Sequence, residues 1–586
     1  MYLDTCLEMK SEFQQETIHK EVVVIGNGPS GIALSYMLSG NLPFITSTSH
    51  PDEMLATRLT TAVNQSLIDA DLDFLSTGLE GRSTNPISLL LDALLHPCAD
   101  VGINMEPLVE FMKSGREIDH VVLGKGLPGG SWHKMDPQIL TLSLGSWMSL
   151  PGIPFQSTDS GERRAYASSV AQYYVKYVDE MKLSKFFRNN VLVSMVRPVE
   201  TLRKIDIVKE DRNWVQKIDA NDRMSLCTTI GTKNKPKKCI ISNAINYIWN
   251  RSGKRDCSKT CKKVRSQRTH NEHSPNRKIK EILSEKHYMQ CDLESFDSNS
   301  SLSSSDSNNL NLVDPRRDGE IVPSRVHHEN DVNWIIETHD LESGKTTIYT
   351  CKYLIMANGC HDVPNKLSIK GGDDQDWLLY DLRALEWCLD NKMNMQDTSR
   401  PDPVLVVGAG LSAADAVIAL RGRNIHVLHA FRNKSADLNR QLPENMYPEY
   451  HKVHQMMQDG CSSYPFYTSY PEYTLTGINQ VEHTVILSTK EGRSVEIKVS
   501  YAIVLIGSRP DLTFLPKSSD LTWKQALPID GKTNVVKTNK FNHRVEGYKN
   551  LYAVGTLAGD NFVRFIPGGA LAVVADLYKR NQLDET

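Results

Sequence analysis

The chain has 586 residues, too many for one hydrophobic core, so two nucleotide-sized domains with insertions are the natural expectation. With 40% hydrophobic residues and a net charge of −3, the composition excludes a whole-surface preference for nucleic acid or membrane, and partners must be argued locally. The 11 cysteines form no dense even framework, no basic-apolar-small leader opens the sequence, and no apolar run approaches the roughly 20 residues of a membrane span; these features predict a cytoplasmic, intracellular protein of a reducing compartment with no transmembrane segment.

After a tail at 1–20, the apolar run Val22-Val23-Val24-Ile25 leads into Gly26-Asn27-Gly28-Pro29-Ser30-Gly31 and a helical stretch to Leu38. This predicts strand, tight turn and helix, opening a unit over 21–200. A leucine-rich segment at about 57–112 reads as a helical insertion in that unit. A second strand, His120 to Leu123, then runs into Gly124 and the Gly129-Gly130-Ser131-Trp132 turn, and a helix with aromatic spacing follows at Tyr166 to Met181. Residues 201–331 change character: Lys and Arg cluster from Arg251 to Lys280, and Ser, Asp and Asn dominate from Asp292 to Asn309. Such a segment buries too little apolar surface to order itself and reads as a disordered insertion. Strands return over 332–400, at Trp334 to Tyr349 and at Tyr353 to Gly359. A second unit spans 401–510. It begins with Val404-Leu405-Val406-Val407, turns at Gly408-Ala409-Gly410-Leu411-Ser412-Ala413, and continues as a helix to Leu420. The end of the chain, 511–586, supplies a strand at Leu551 to Val554 and a helix from about Gly569 to Lys579.

A dinucleotide-binding turn uses its first glycine for the bend, its second to let backbone approach pyrophosphate, and its third to pack helix on strand. Gly26, Gly28 and Gly31 fill these positions, and Gly408, Gly410 and Ala413 repeat them. A single match has the alternative of a glycine bend in an ordinary parallel sheet; two copies, each between an apolar strand and a helix, weigh against it. The second strand of the second unit, Ile425 to Phe431, ends at Arg432, with Lys434 beyond. A guanidinium there suits a 2′-phosphate and favours NADPH over NADH, the alternative being a solvated surface arginine. In the first unit the acid expected to bind ribose is replaced by Gly124.

These residues together resemble the flavin-containing monooxygenases: the Gly26 turn, Gly129-Gly130-x-Trp132, the Tyr173-Tyr174 helix, Ala357-Asn358-Gly359 and the Gly408 turn occur in that family's order. More closely, Gly26 to Leu38, Gly124 to Trp132, Leu442 to Met456 with Tyr447-Pro448-Glu449-Tyr450-His451-Lys452, and Gly555 to Ala570 look like the animal oxidative stress-induced growth inhibitor proteins. The resemblance implies an α/β two-dinucleotide flavoprotein, a Rossmann-like FAD domain with an NADPH domain inserted. FAD would lie along Gly26, Gly28, Pro29, Ser30, Gly31, Gly129, Gly130, Trp132, Ala357, Gly359, Gly559 and Asp560, with Asp560 accepting a ribitol hydroxyl. The helix opening near Pro567-Gly568-Gly569 would aim its dipole at the flavin, or these glycines simply close a loop. NADPH would lie along Gly408, Gly410, Ser412, Ala413 and Arg432. The implied reaction is NADPH-dependent oxygenation of a soft nucleophile by dioxygen. The implied cellular roles are restraint of growth and cytokinesis, with regulatory protein partners and a midbody or nuclear association.

Departures keep other readings open. Gln375 stands where those monooxygenases carry histidine, and the Leu144 to Ser149 loop has no counterpart of their flavin-side asparagine. A regulatory protein on an impaired scaffold, or an NADPH oxidase releasing hydrogen peroxide, are the alternatives. The scheme requires no protein base, so no catalytic residue is named. Cys257 and Cys261 with His270 and His273 fit no standard zinc spacing, so no metal is expected. No Cys-x-x-Cys flanks either turn, which argues against a dithiol reductase. The basic cluster would meet import factors or acidic surfaces, or remain a solvated loop. His451 and Tyr447 line the substrate side or pack a loop.

Overall fold

The computed structural model describes residues 17–103, 105–156, 164–199, 332–369, 375–391, 402–434, 442–460, 464–516 and 518–585. The basic cluster, the Ser/Asp/Asn stretch and the Cys257, Cys261, His270 and His273 set lie outside the described residues.

Strand Thr17–Ile25 is central to a seven-stranded sheet. It runs parallel to His120–Leu123 on one side and to Thr346–Met356 on the other. Phe187–Arg188 extends the first side in parallel, and Leu551–Ala553, from the far end of the chain, joins Thr346–Met356 in parallel. Trp334–Asp340 and Val191–Pro198 complete the sheet as an antiparallel meander. Because successive side chains of a strand face opposite ways, Val22 and Val24 enter one core and Val23 and Ile25 another. The first core lies under helices Pro29–Leu38 and Ile566–Glu585, which pack on each other. Pro29–Leu38 is apolar around most of its circumference, as a helix caught between a sheet and another helix must be.

The second unit is a five-stranded parallel sheet ordered Leu378–Leu379, Tyr501–Val504, Val404–Val407, Val427–Phe431 and Tyr467–Pro471. Val404 and Val406 face the helices Leu411–Gly422 and Pro448–Asp459, while Leu405 and Val407 face a three-stranded antiparallel meander drawn from Tyr473 to Lys498. The chain enters and leaves this unit side by side, where Val363–Pro364 pairs antiparallel with Ser508–Arg509.

The α/β architecture with one dinucleotide fold inserted in another is therefore as expected from the two turns. Several details differ. The helical insertion holds helices Glu53–Leu59 and Pro86–Leu95 but ends in a strand, Val109–Lys113, which pairs with Asn41–Ile45 as an outlying ribbon. Leucine spacing did not reveal this ribbon because its strands are only five residues long. The strand-rich stretch from Trp334 to Tyr349 turns at residues 341–345, and Thr346–Met356 absorbs the run read as separate from Tyr353. The last helix is longer than its apolar pattern suggested, Ile566–Glu585.

Candidate functional site

The two turns share one construction. Gly26 has φ +111°, and a Cβ there would stand 2.5 Å from the carbonyl oxygen of Ala357 at the end of the neighbouring strand. Gly408 has φ +139°, and its Cβ would stand 2.3 Å from the carbonyl oxygen of Leu505. Each turn thus crosses a strand end with no room for a side chain. Gly359 follows the first crossing at φ +71° and Gly507 the second at φ +92°. The Leu505-Ile506-Gly507 segment is therefore the counterpart of Ala357-Asn358-Gly359, a repeat legible in the sequence as apolar strand, two residues, glycine.

The space above both turns is open. A Cβ on Gly28 or Gly410 would meet nothing within 4 Å. These glycines cap helices Pro29–Leu38 and Leu411–Gly422 without any side-chain cap bond, so the first N–H groups of both helices face that space. The third positions differ: a Cβ on Gly31 would fall 2.0 Å from Gly26 O, whereas Ala413 carries a methyl that is fully buried. Pro29 is the first residue of its helix, and Ser412 is exposed at the second position of its own.

Around the first turn, Gly129 N–H donates to Asn27 O (2.9 Å), and Gly130 lies over Gly28, where its Cβ would come within 3.1 Å of the Gly28 Cα. Trp132 follows in the short helix Gly130–His133 and packs on the main core. Ser30 Oγ fills the place of a Cβ on Gly555, 2.3 Å away, so the first helix and the C-terminal loop meet there. A Cβ on Gly359 would lie 3.5 Å from Thr556 Oγ1 in the same loop, and Gly559 turns it at φ +94°. The structure thus brings Gly26, Gly28, Ser30, Gly129, Gly130, Ala357, Gly359 and Gly555 together at the carboxyl ends of the strands. Asn358 Oδ1 is buried there without a hydrogen-bond partner, while its Nδ2 donates to Asp511 O (3.2 Å). An open space above Gly28 and a buried acceptor without a donor both fit a polar ligand such as a dinucleotide.

Asp560 lies deeper than its sequence position suggested. It is 1% exposed, and Ser83 Oγ and Ser88 Oγ donate to its two oxygens at 2.5 and 2.8 Å. Asn85 Nδ2 donates to Ala558 O (3.1 Å). Residues of the helical insertion therefore hold the C-terminal loop, a role their sequence gives no sign of. Burial raises the Asp560 carboxyl above its ordinary range and lowers the neighbouring His543, whose Nε2 has no partner. Gly569, in the first turn of the last helix, packs against both: its Cβ would stand 3.4 Å from Asp560 Oδ2. Gly568 packs elsewhere, against the backbone of Ser88.

In the second unit, Arg432 directly follows strand Val427–Phe431, exposed and with no bonded partner among the described residues; Lys434 is exposed beside it. His429 is fully buried. Its Nε2–H donates to Gly408 O (2.7 Å), so Nδ1 is unprotonated and accepts from the Tyr467 hydroxyl (2.9 Å). Burial lowers this imidazole to about 4.

Among the described residues, three ties cross between the units. Arg164 Nη1 donates to Met446 O (3.1 Å) and to Glu449 Oε1 (2.7 Å), with its guanidinium 4.7 Å from the Tyr447 ring. The Tyr447 hydroxyl donates to Leu142 O, and Arg383 Nη1 to His133 O (2.9 Å). Tyr447 thus packs between the units, at the start of helix Pro448–Asp459, while His451 faces Leu442 O and Gln455 on that helix. Tyr450 donates to Asp415 Oδ1, whose carboxyl burial pushes up to about 6.

Cys351 and Cys360 are buried, and burial raises both thiols, Cys360 to about 11. Neither is poised as a thiolate nucleophile. Among the described residues no group of three His, Cys, Asp or Glu is placed to hold a metal ion, and no helix is long and apolar enough to cross a membrane.

Residues 325–547 match a family described as pyridine nucleotide-disulphide oxidoreductase. The chain is 33% identical to oxidative stress-induced growth inhibitor 2 of Homo sapiens, over 98% of this chain and 96% of that protein. It is also 33% identical to oxidative stress-induced growth inhibitor 1 of Mus musculus, over 95% of each. Among solved structures, a bacillithiol disulfide reductase from Bacillus cereus is similar with 13% identity and a TM-score of 0.47, over 96% of this chain and 99% of that one.

Proposed function

Since the chain belongs to the oxidative stress-induced growth inhibitor family, we propose that it is an oxidoreductase holding FAD in the first unit and NADPH in the second, and that it restrains growth through this redox activity. The observation that carries the reading is the duplicated turn: Gly26 and Gly408 cross strand ends in the same way, and the space above Gly28 and Gly410 is open. In the first unit, the free N–H groups of helix Pro29–Leu38 serve the pyrophosphate, and Asn358 Oδ1 takes a donor from the bound cofactor. In the second, Leu411–Gly422 presents its N-terminus to pyrophosphate and Arg432 grips the 2′-phosphate. Arg164, Tyr447 and Arg383 link the two units, and such ties would help hold a nicotinamide and a flavin in a constant relation. FAD held there would supply two-electron redox chemistry: with NADPH as reductant and dioxygen as oxidant, one oxygen atom would enter a soft nucleophile and the other would leave as water.

The test is the visible spectrum of the purified protein, then anaerobic NADPH, then air. A flavin spectrum that NADPH bleaches and air restores supports the reading. Colourless protein that takes up no FAD on reconstitution sinks it. A second reading, a regulatory protein that no longer oxygenates, is favoured by Gly124 and Gln375, which stand where ribose-binding and monooxygenase residues are expected. Peroxide released per NADPH consumed separates the cases: substrate-dependent for a monooxygenase, near one for an oxidase, and no NADPH consumption at all for a silent scaffold.

A further inference from the structure

The first unit has no acid at the end of its second strand, and the structure shows what stands there instead. Ile25 and Leu123 are register partners, Gly26 N–H donates to Leu123 O (2.8 Å), and Gly124 N–H donates to Arg188 O (2.9 Å). Asn27, Gly124 and Asn189 therefore follow the ends of three adjacent parallel strands, at the rim where dinucleotide folds bind ribose. A Cβ on Gly124 would stand 2.1 Å from the Cγ and Nδ2 of Asn27 and 2.5 Å from its Oδ1. The observed position of the Asn27 carboxamide and a side chain at 124 exclude one another. The glycine is thus the complement of the asparagine, and the missing acid is a displaced one.

The Asn27 carboxamide is buried and fixed: its Nδ2 donates to Gly126 O (2.6 Å) and to Asn189 Oδ1 (3.0 Å). Both of its protons are used, which leaves Asn27 Oδ1 as an acceptor and the Asn189 Nδ2 group as a donor, neither bonded among the described residues. A carboxylate offers a diol two acceptors; this pair offers one acceptor and one donor and carries no charge.

We propose that the Asn27–Asn189 carboxamide pair is the ribose seat of the first unit, binding the adenosine diol of FAD in place of an acid. The proposal rests on the reading of that unit as an FAD site. One ribose hydroxyl donates to Asn27 Oδ1 and the other accepts from Asn189 Nδ2.

The experiment measures dissociation constants of FAD and of riboflavin 5′-phosphate, which lacks the adenosine, for the flavin-free full-length protein by flavin fluorescence. Thermal unfolding of the flavin-free protein serves as a fold control. Asn189→Ala, at a half-buried rim position, weakens FAD at least tenfold and leaves riboflavin 5′-phosphate unchanged. Gly124→Glu alone weakens FAD and lowers the unfolding temperature, because Asn27 occupies its space. The double variant Asn27→Ala/Gly124→Glu, which restores an acid and removes the obstruction, recovers FAD binding to within about threefold of the parent. The proposal is overturned if Asn189→Ala and Asn27→Ala leave FAD affinity unchanged, if both flavins weaken alike, or if Gly124→Glu is tolerated without removing Asn27. A parent protein that binds neither flavin overturns the FAD reading itself, and the proposal with it.

Discussion

The two dinucleotide units differ most where their glycine turns are most alike. Both turns cross a strand end so closely that a Cβ would strike a carbonyl oxygen, and both carry a buried neutral histidine on the second strand, His120 in the first and His429 in the second. Yet the histidines bind different things. His120 Nδ1–H donates to Ile118 O (2.8 Å) and its Nε2 accepts from Ser35 Oγ (2.8 Å), fastening the helix to the strand. His429 Nε2–H donates to the turn glycine itself. At the strand ends, the first unit presents neutral carboxamides and the second an exposed guanidinium. The crossing of backbone over backbone leaves no room for a side chain in either turn, whereas the strand ends carry different side chains in the two units.

The sharpest way to break this equivalence is at the crossings. Gly26→Ala and Gly408→Ala each force a side chain into positive φ and into a carbonyl, and each is expected to cost roughly 4 kcal/mol or more. Gly410→Ala, with open space around it, should stay within about 1 kcal/mol of the parent yet weaken NADPH binding. Urea unfolding and nucleotide titration of the three variants decide it; equal losses at 408 and 410 would show that the crossing is not what the turn protects.

The histidines predict a pH dependence common to both units. Burial lowers each to about 4, from an ordinary value near 6.5, so folding is favoured by the neutral form. The unfolded chain binds more protons between these limits. Stability is therefore fully present above about 6.5 and declines as pH falls toward 4, by about 3 kcal/mol for each histidine. Replacing His120 with Asn should make urea midpoints decline less steeply from pH 7 to pH 4. A variant whose stability declines as steeply as the parent's over this range contradicts the assignment.

The smallest expected effect is at the strand end. Arg432→Ala should leave unfolding unchanged and cut the preference for NADPH over NADH about tenfold, roughly 1.4 kcal/mol, since an exposed charge-assisted contact contributes at the lower end of its range. An unchanged preference would return Arg432 to the solvated surface.

Much of this was legible in the sequence because glycine at a crossing and an apolar four-residue strand are local signals. Val22 to Gly31 and Val404 to Ala413 announce both units without any tertiary knowledge. What escaped depends on residues far apart in the chain. Ser83 and Ser88 look like ordinary polar residues of an insertion until Asp560 arrives between them, nearly five hundred residues later. Arg164 follows Glu162 and Arg163 in sequence, yet its partners Glu449 and Tyr447 lie in another unit. Gly124 read as a missing acid because only the folded strand ends bring Asn27 over it. The short ribbon of Asn41–Ile45 with Val109–Lys113 fails for another reason: each strand is too brief for a period to show.

One hydrogen bond, from Val199 N–H to Asn333 O (3.0 Å), brackets residues 200–331. The strands that flank it, Val191–Pro198 and Trp334–Asp340, are antiparallel neighbours, so the chain departs from and returns to one point on the sheet. The portions before and after are interleaved elsewhere: Thr17–Ile25 runs beside Thr346–Met356 from Thr17 opposite Ile348 to Ile25 opposite Met356, and helix Ile566–Glu585 lies on Pro29–Leu38. Covalent continuity between residues 200 and 331 is thus dispensable to that sheet. A nick made there by a protease, or a gene divided there into two reading frames, is expected to leave two polypeptides that complement each other, the first carrying Gly26 and the second carrying Gly408.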